Sequence, residues 1–151
     1  MRKFFCSGED HAFKRYGAGK LSHPVEWEKM LFEMETNGVE IEFRENVFAY
    51  EPSIKGKAAG KLVIDRNSSI SALRHEHQHF LEDKANDYPG IAFYLSDYKQ
   101  FWGGEFRAYL VELKFAKENK DVDLARKIIQ DMKRRRQEIR EDWFGIEDES
   151  N

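Results

Sequence analysis

The chain has 151 residues, a formal net charge of −3 and 40% hydrophobic residues, which is enough for one domain with its own core. The slight negative charge gives no reason to expect nucleic acid or an anionic membrane as a partner, and no apolar run reaches transmembrane length. The single cysteine, Cys6, excludes an internal disulfide and fits a reducing compartment. The first ten residues lack an apolar stretch of secretory length, so we expect a cytoplasmic protein or one delivered into a target cell.

The first half of the chain predicts a lead-in, one helix and a small sheet. Residues 1–21 mix charge, glycine and aromatic side chains without a period, and we expect them to be irregular. Pro24 and Gly38 stand where a helix commonly begins and ends, and an apolar stripe lies between them: Val25, Trp27, Met30, Leu31 and Met34. Short apolar or alternating runs predict three strands, at 39–44, 47–50 and 61–66. Strands this short, joined by turns, favour a largely antiparallel sheet.

The second half of the chain is predicted to be helical. The first helix is capped by Ser68 or Ser69 and ends at 86–90, and an aromatic-rich loop or short helix follows at 91–102. Gly103–Gly104 then precedes a helix from about Glu105 to Lys117. A last helix runs from Asp121 to about Asp142, and an acidic tail follows it to residue 151. This order predicts one compact α+β domain over residues 1–151, in which a small sheet packs on the helices.

The most specific pattern is H-E-x-x-H, formed by His75, Glu76 and His79 within a predicted helix. Residues four apart on a helix lie on nearly one face, so both imidazoles can reach one metal ion. Two neutral nitrogen ligands and a neighbouring carboxylate that accepts a proton from water are what a zinc hydrolase requires. The motif therefore predicts a single Zn²⁺ ion, with Glu76 as the catalytic acid and base.

A catalytic zinc usually has three protein ligands, and the two histidines supply only two. Position 85, where a third histidine would complete one common pattern, is alanine, and no histidine follows His79. A carboxylate of the next helix is the natural alternative. Glu105 is the first choice because Ala108 allows that helix to approach closely, and Glu112, two turns further along, is the competitor.

Two segments of the chain resemble the zincin-like metallopeptidase toxin domains of bacterial polymorphic toxin systems. The first is Ser71-Ala-Leu-Arg-His-Glu-His-Gln-His-Phe80 and the second is Glu105-Phe-Arg-Ala-Tyr109. The resemblance implies a gluzincin-type fold and zinc-dependent hydrolysis of peptide bonds. It also implies that His75, His79 and Glu105 are the zinc ligands and that the substrate is a protein or peptide.

Several other residues have candidate roles near the metal. Four residues are candidate donors to the oxyanion formed during hydrolysis, and the sequence does not choose between them: Tyr94, Tyr98, Arg107 and Tyr109, of which Tyr109 is taken as the catalytic candidate. Asp97 and Glu112 are candidates to orient an imidazole through its second nitrogen. His77 points away from the ligand face, and we interpret it as a packing or surface residue.

Alternative functions remain open on the sequence alone. Three interpretations are compatible with the motifs. The first is a peptidase that acts as a toxin effector and has an immunity protein, and the second is a regulatory protease that acts on a dedicated repressor or inhibitor. The third is a binding module that zinc stabilises and that does not turn over a substrate. A Cys6 thiolate that occupies the open metal position is a latency hypothesis, although a free thiol is the simpler interpretation. The basic run Lys133–Arg136 is interpreted as a solvated helix face rather than a phosphate-binding patch, because acidic residues surround it.

Overall fold

Helices make up most of the computed structural model, which describes residues 8–147. The α-helices in this range are α1 (Phe13–Tyr16), α2 (Gly19–Ser22), α3 (Pro24–Thr36), α4 (Ile70–Ala85), α5 (Ile91–Tyr94), α6 (Tyr98–Glu118) and α7 (Val122–Gln137). A π-helical segment, Glu138–Trp143, continues α7. The strands are β1 (Glu40–Phe43), β2 (Phe48–Glu51) and β3 (Lys61–Ile64). The predicted α+β class is confirmed.

The sheet is mixed rather than largely antiparallel. Its strand order is β1-β3-β2, in which β3 pairs in parallel with β1 and antiparallel with β2. The central strand is apolar, and Leu62, Val63 and Ile64 are all buried. The second strand returns on the far side of β3, and this order across the sheet is a tertiary feature that local turn signals do not encode. One face of β2 packs on α4, and α4 packs most extensively on α6.

Helix α4, which carries the motif, begins directly after Ser69, whose side chain caps it. The Ser69 side chain accepts a hydrogen bond from the backbone N–H of Ala72 at 3.1 Å, which satisfies one of the free donors at the helix start. The carboxylate of Asp10 accepts two further hydrogen bonds, from the Ser69 backbone N–H at 2.8 Å and from its hydroxyl at 2.6 Å. These bonds tie the N-terminal segment to the start of α4.

The described part of the lead-in is more ordered than the sequence predicts. It contains the two helical turns α1 and α2, and its side chains contact distant elements. The Tyr16 hydroxyl donates to Asp121, the cap of α7, at 2.8 Å, and His11 Nε2 lies 3.2 Å from Asp131 Oδ2 in the middle of α7. Long-range contacts of this kind have no local sequence period, which explains why an irregular segment was predicted.

Helix α6 begins seven residues before the predicted start. The carboxylate of Asp97 caps it by accepting from the backbone N–H of Gln100 at 2.8 Å, so the aromatic residues from Tyr98 onward are helical. Gly103 and Gly104 lie inside the helix rather than ahead of it. Each glycine costs about 1 kcal/mol of helix propensity relative to alanine, a cost that tertiary packing of α6 outweighs.

The core lies between α3, the sheet, α4 and α6. Trp27, Met30, Leu31 and Met34 of the predicted stripe are buried, whereas Val25 is exposed, so the stripe is narrower than predicted. Among the described residues, no helix is both long and apolar enough to span a lipid bilayer.

The contact between His11 and Asp131 predicts a pH dependence of stability. The hydrogen bond to Asp131 raises the pKa of His11, against the lowering effect of burial, and nearby Glu112 and Glu9 add to the increase. A histidine whose pKa is higher in the folded state than in the unfolded state stabilises the fold fully at pH values below its unfolded-state pKa. This contribution to the free energy of unfolding is lost as the pH rises through the folded-state pKa. We therefore expect His11→Gln to lower the free energy of unfolding more at about pH 5 than at about pH 9. Urea denaturation at both pH values measures this difference, and equal losses would contradict it.

Candidate metal centre

Helices α4 and α6 bring three potential metal ligands together. His75 and His79 lie one turn apart on α4, and Glu105 faces them from α6. One ligand atom from each residue lies within 4.8 Å of the other two. Glu105 Oε1 is 2.9 Å from His79 Nε2 and 3.9 Å from His75 Nε2. Two ligand atoms of a tetrahedral zinc ion lie about 3.4 Å apart, which is between these two distances.

His75 is fixed in one orientation and leaves one nitrogen available. Its Nδ1 lies 2.7 Å from Glu112 Oε2, a distance that holds a proton on Nδ1 when the imidazole is neutral. The opposite nitrogen, Nε2, is buried and makes no hydrogen bond within the described residues. A buried polar atom without a hydrogen bond costs about 1–3 kcal/mol, so it calls for an explanation. A bound cation in front of Nε2 provides one.

The second oxygen of Glu105 faces a cation of the protein. Arg135 of α7 places its Nε 3.6 Å from Glu105 Oε2, and its guanidinium stacks 4.5 Å from the ring centre of Trp143. It also donates to Glu138 at 3.0 Å. Arg135 is 4% exposed and is the only lysine or arginine among the buried residues that the structure describes. The three site helices are therefore α4, α6 and α7.

Glu76 lies next to the ligands and is fully buried. One carboxylate oxygen, Oε1, accepts a hydrogen bond from the backbone N–H of Tyr50 in β2 at 3.0 Å. The other oxygen, Oε2, lies 3.9 Å from His75 Nε2. The sheet thus orients Glu76 so that one oxygen faces the same space as the available nitrogen of His75.

Several buried charged groups meet at the site. The carboxylates of Glu76, Glu105 and Glu112 lie around the imidazole of His75, and the guanidinium of Arg135 lies beside Glu105. Burial by itself lowers the pKa of His75, but these carboxylates raise it well above its ordinary value. Burial favours the neutral form of Glu105, yet its contacts with His75 and His79 hold its pKa well below the usual range. Burial also raises the pKa of Glu112. These directions favour a protonated His75 imidazole beside an ionised Glu105 carboxylate in the metal-free protein.

These features fit a zinc ion. Two imidazole nitrogens and one carboxylate oxygen are the ligand types of catalytic zinc sites. The His75 nitrogen without a hydrogen bond faces the other two ligand atoms. Metal-ligating histidines commonly donate their second nitrogen to a carboxylate, as His75 does to Glu112. The competitor Glu112 therefore lies behind His75 rather than among the three converging groups.

The candidate oxyanion donors already have hydrogen-bond or ion-pair partners. The Tyr109 ring packs edge-on against His75 with 5.0 Å between ring centres, and its buried hydroxyl donates to Asp131 at 3.3 Å. The role of Tyr109 as an oxyanion donor stays a prediction. The three alternatives have other partners: Tyr94 donates to Asp83, Tyr98 accepts from Arg136, and Arg107 pairs with Glu82.

Two other residues named in the sequence analysis, Asp97 and His77, have structural contacts. Asp97 caps α6 and does not orient an imidazole of the site. His77 lies with its Nε2 2.8 Å from Glu33 Oε2 of α3, as expected for a packing or surface residue. Cys6 lies outside the described residues, so its latency hypothesis stays a prediction.

Sequence reasoning missed two groups beside the site. The run Lys133–Arg136 was predicted to be a solvated face, but Arg135 within it is buried against Glu105, whereas its neighbours are exposed. The helical period places Arg135 on the face of Ile128 and Ile139, a signal that was available. Asp83, one turn after His79, is also buried and accepts from the hydroxyls of Tyr50 and Tyr94. No local signal distinguishes it from an exposed helix carboxylate.

Comparisons with protein families, with curated proteins and with solved structures found no match to this chain. The resemblance to zincin-like toxin domains therefore stays a prediction that rests on two short motifs.

Arg135 offers a test of the charge balance. We expect Arg135→Met to destabilise the metal-free protein by about 3 kcal/mol, because it leaves the Glu105 carboxylate buried without its cation. Saturating zinc is expected to reduce this deficit, because the metal supplies the missing positive charge. Thermal unfolding with and without zinc measures both effects. Lys133→Met, an exposed neighbour, is the control and should change stability by less than about 0.5 kcal/mol. An equal deficit with and without zinc would refute the charge-balance interpretation.

Proposed function

We propose that this protein is a zinc-dependent peptidase in which His75, His79 and Glu105 hold the metal. The observation that carries the proposal is the buried Nε2 of His75, which makes no hydrogen bond within the described residues and faces His79 Nε2 and Glu105 Oε1. The buried carboxylates of Glu76, Glu105 and Glu112 beside the histidines also support a bound cation. Peptide bonds as the substrate are inferred from the resemblance of the two motifs.

Glu76 acts as the general base and then as the general acid. Zinc, when bound, polarises the carbonyl of the substrate and makes water more acidic. The Tyr50 backbone N–H holds Glu76 Oε1, and Oε2 lies on the side of His75 Nε2, where it would accept a proton from the attacking water and pass it to the leaving amine. Glu76 is buried beside His75, so its side chain does not have to move in from solvent before it accepts a proton.

Glu112 and Arg135 position the ligands without contacting the substrate. Glu112 fixes the imidazole of His75 with Nε2 toward the metal. Arg135 lies on the side of Glu105 away from His79, so that Oε1 is the oxygen presented to the site. The ligands are thereby oriented before the metal arrives, which lowers the ordering cost of metal binding.

The roles of Glu76 and the ligands are separable by mutation. Glu76→Gln preserves the side-chain shape and an oxygen for the Tyr50 N–H, so we expect it to retain stoichiometric zinc. Loss of the proton acceptor should lower the rate of hydrolysis by about 10²–10⁴-fold. Zinc content by atomic absorption and cleavage of a proteome-derived peptide mixture measure the two properties. Zinc-loaded wild type that cuts no peptide would favour a binding module and sink the peptidase proposal.

The ligand assignment has its own test. We expect His79→Ala and Glu105→Ala to lose zinc, because each removes one of three ligand atoms. Glu112→Gln should keep zinc but bind it about 10–100-fold more weakly, as is typical when the carboxylate behind a histidine ligand is altered. Competition with a zinc chelator gives the affinities. Full zinc occupancy in Glu105→Ala, together with its loss in Glu112→Gln, would reverse the roles of the two glutamates.

A further inference from the structure

Positive charge is concentrated on α6 and α7. Residues 98–137, which contain both helices, carry 11 of the chain's 25 lysines and arginines but only 6 of its 28 acidic residues. Four of these six carboxylates are buried: Glu105, Glu112, Asp121 and Asp131. Ten of the basic side chains are exposed, whereas only two carboxylates of this segment are exposed, Glu118 and Asp123. The net charge of −3 for the whole chain therefore gives no indication of how basic the surface of α6 and α7 is.

Apolar side chains lie among these exposed charges. Phe106 and Leu110 of α6 are 41% and 43% exposed, and Ile129 of α7 is 41% exposed. Lys114 follows Leu110 by four residues and Lys133 follows Ile129 by four, so each helix presents apolar and basic side chains on one exposed side. Because α6 packs against α7, both sides belong to one helical layer. We call the following set the basic–apolar face: Phe106, Leu110, Lys114, Lys117, Arg126, Ile129 and Lys133.

The cations of the basic–apolar face are weakly neutralised by the protein. Lys114, Lys117 and Lys133 are exposed and make no ion pair within the described residues. Arg126 has one acidic partner, Asp123, at 3.4 Å, and both side chains are largely exposed. An exposed pair of this kind contributes little to stability and exchanges readily with another partner. These cations are therefore available to an anionic ligand.

The composition of the basic–apolar face distinguishes between anionic partners. A nucleic acid backbone would pair with the cations but would offer no apolar surface to Phe106, Leu110 and Ile129. Protein interfaces are depleted in lysine, whereas six of the ten exposed cations of residues 98–137 are lysines. The surface of a bilayer that contains anionic lipids accepts lysine among its headgroups and apolar side chains at the acyl boundary. A membrane surface therefore fits this face best.

We propose that the basic–apolar face of α6 and α7 binds reversibly to the surface of membranes that contain anionic lipids. Phe106, Leu110 and Ile129 enter the boundary between headgroups and acyl chains, and the lysines stay among the headgroups. Each cation near such a surface strengthens binding about five-fold, so a few unpaired lysines give a selective preference for anionic lipid. The proposal is independent of the peptidase function, because the face contains none of the proposed metal ligands and Glu105 of the same helix is buried.

Sedimentation of the full chain with sucrose-loaded vesicles tests this proposal. In about 0.1 M NaCl, we expect binding to vesicles of phosphatidylcholine with about 30% phosphatidylserine and none to phosphatidylcholine alone, and about 0.5 M NaCl should release the protein. Lys114→Glu/Lys133→Glu should weaken binding by at least about 20-fold, because two attractive charges become repulsive. Lys29→Glu/Lys55→Glu is the matched control, since it changes the net charge equally at exposed lysines outside the face. It should bind within about 3-fold of wild type.

The apolar side chains have a separate test. Phe106→Ser/Leu110→Ser keeps every charge of the face and should lower the affinity for the same vesicles by about 10-fold, because less apolar surface enters the bilayer. Circular dichroism checks that this variant keeps its helices. In Phe106→Trp, brominated lipid chains should quench the added indole, because only a side chain at the acyl boundary meets the bromine atoms.

Three results would overturn the proposal. The first is no sedimentation with phosphatidylserine vesicles, or an equal loss of binding in the two charge variants. The second is unchanged affinity of Phe106→Ser/Leu110→Ser together with no quenching of the indole at position 106. The third is tighter binding to a single-stranded RNA or a duplex DNA of about 20 nucleotides, measured by fluorescence anisotropy at the same salt concentration, which would assign the face to nucleic acid.

Discussion

The arrangement of this protein depends on a cluster of buried charged groups. Three carboxylates from two helices surround the imidazole of His75, and a buried guanidinium lies beside one of them. Taking such groups out of water costs several kcal/mol each unless opposite charges compensate them. A protonated His75 or a divalent cation supplies positive charge at this place. The packing of α4 against α6, the position of α7 and the contact from β2 to Glu76 all serve to hold this cluster together.

The sequence predicted the centre of the site better than its surroundings. His75 and His79 share one face because the helical period brings residues four apart together, which needs no tertiary information, whereas the approach of Glu105 depends on the packing of α6 on α4. Asp83 was missed because burial of a charged residue depends on which elements cover it, whereas the helical period already places Arg135 on the buried face of Ile128 and Ile139. Tyr109 was assigned by its proximity along α6, but the length of its ring carries the hydroxyl past His75 to Asp131.

The secondary structure was likewise predicted correctly where local sequence decides it and incorrectly where tertiary contacts do. Pro24, Ser69 and Asp121 mark helix starts where local chemistry predicts them. The parallel pairing of β1 with β3 was not predictable from the strands themselves, since it depends on where β2 lies across the sheet. Gly103–Gly104 misled the prediction of α6 because glycine disfavours helix in isolation, whereas here it sits within a helix that tertiary contacts stabilise.

The distance along the chain between His75 and Arg135 has a consequence for biosynthesis. The metal-binding motif leaves the ribosome about 60 residues before the arginine that steadies Glu105. A growing polypeptide therefore holds its paired histidines well before α7 can fold over them, and the complete charge arrangement forms late in translation. On the proposed peptidase function, a nascent polypeptide would lack the complete site until α7 has been synthesised.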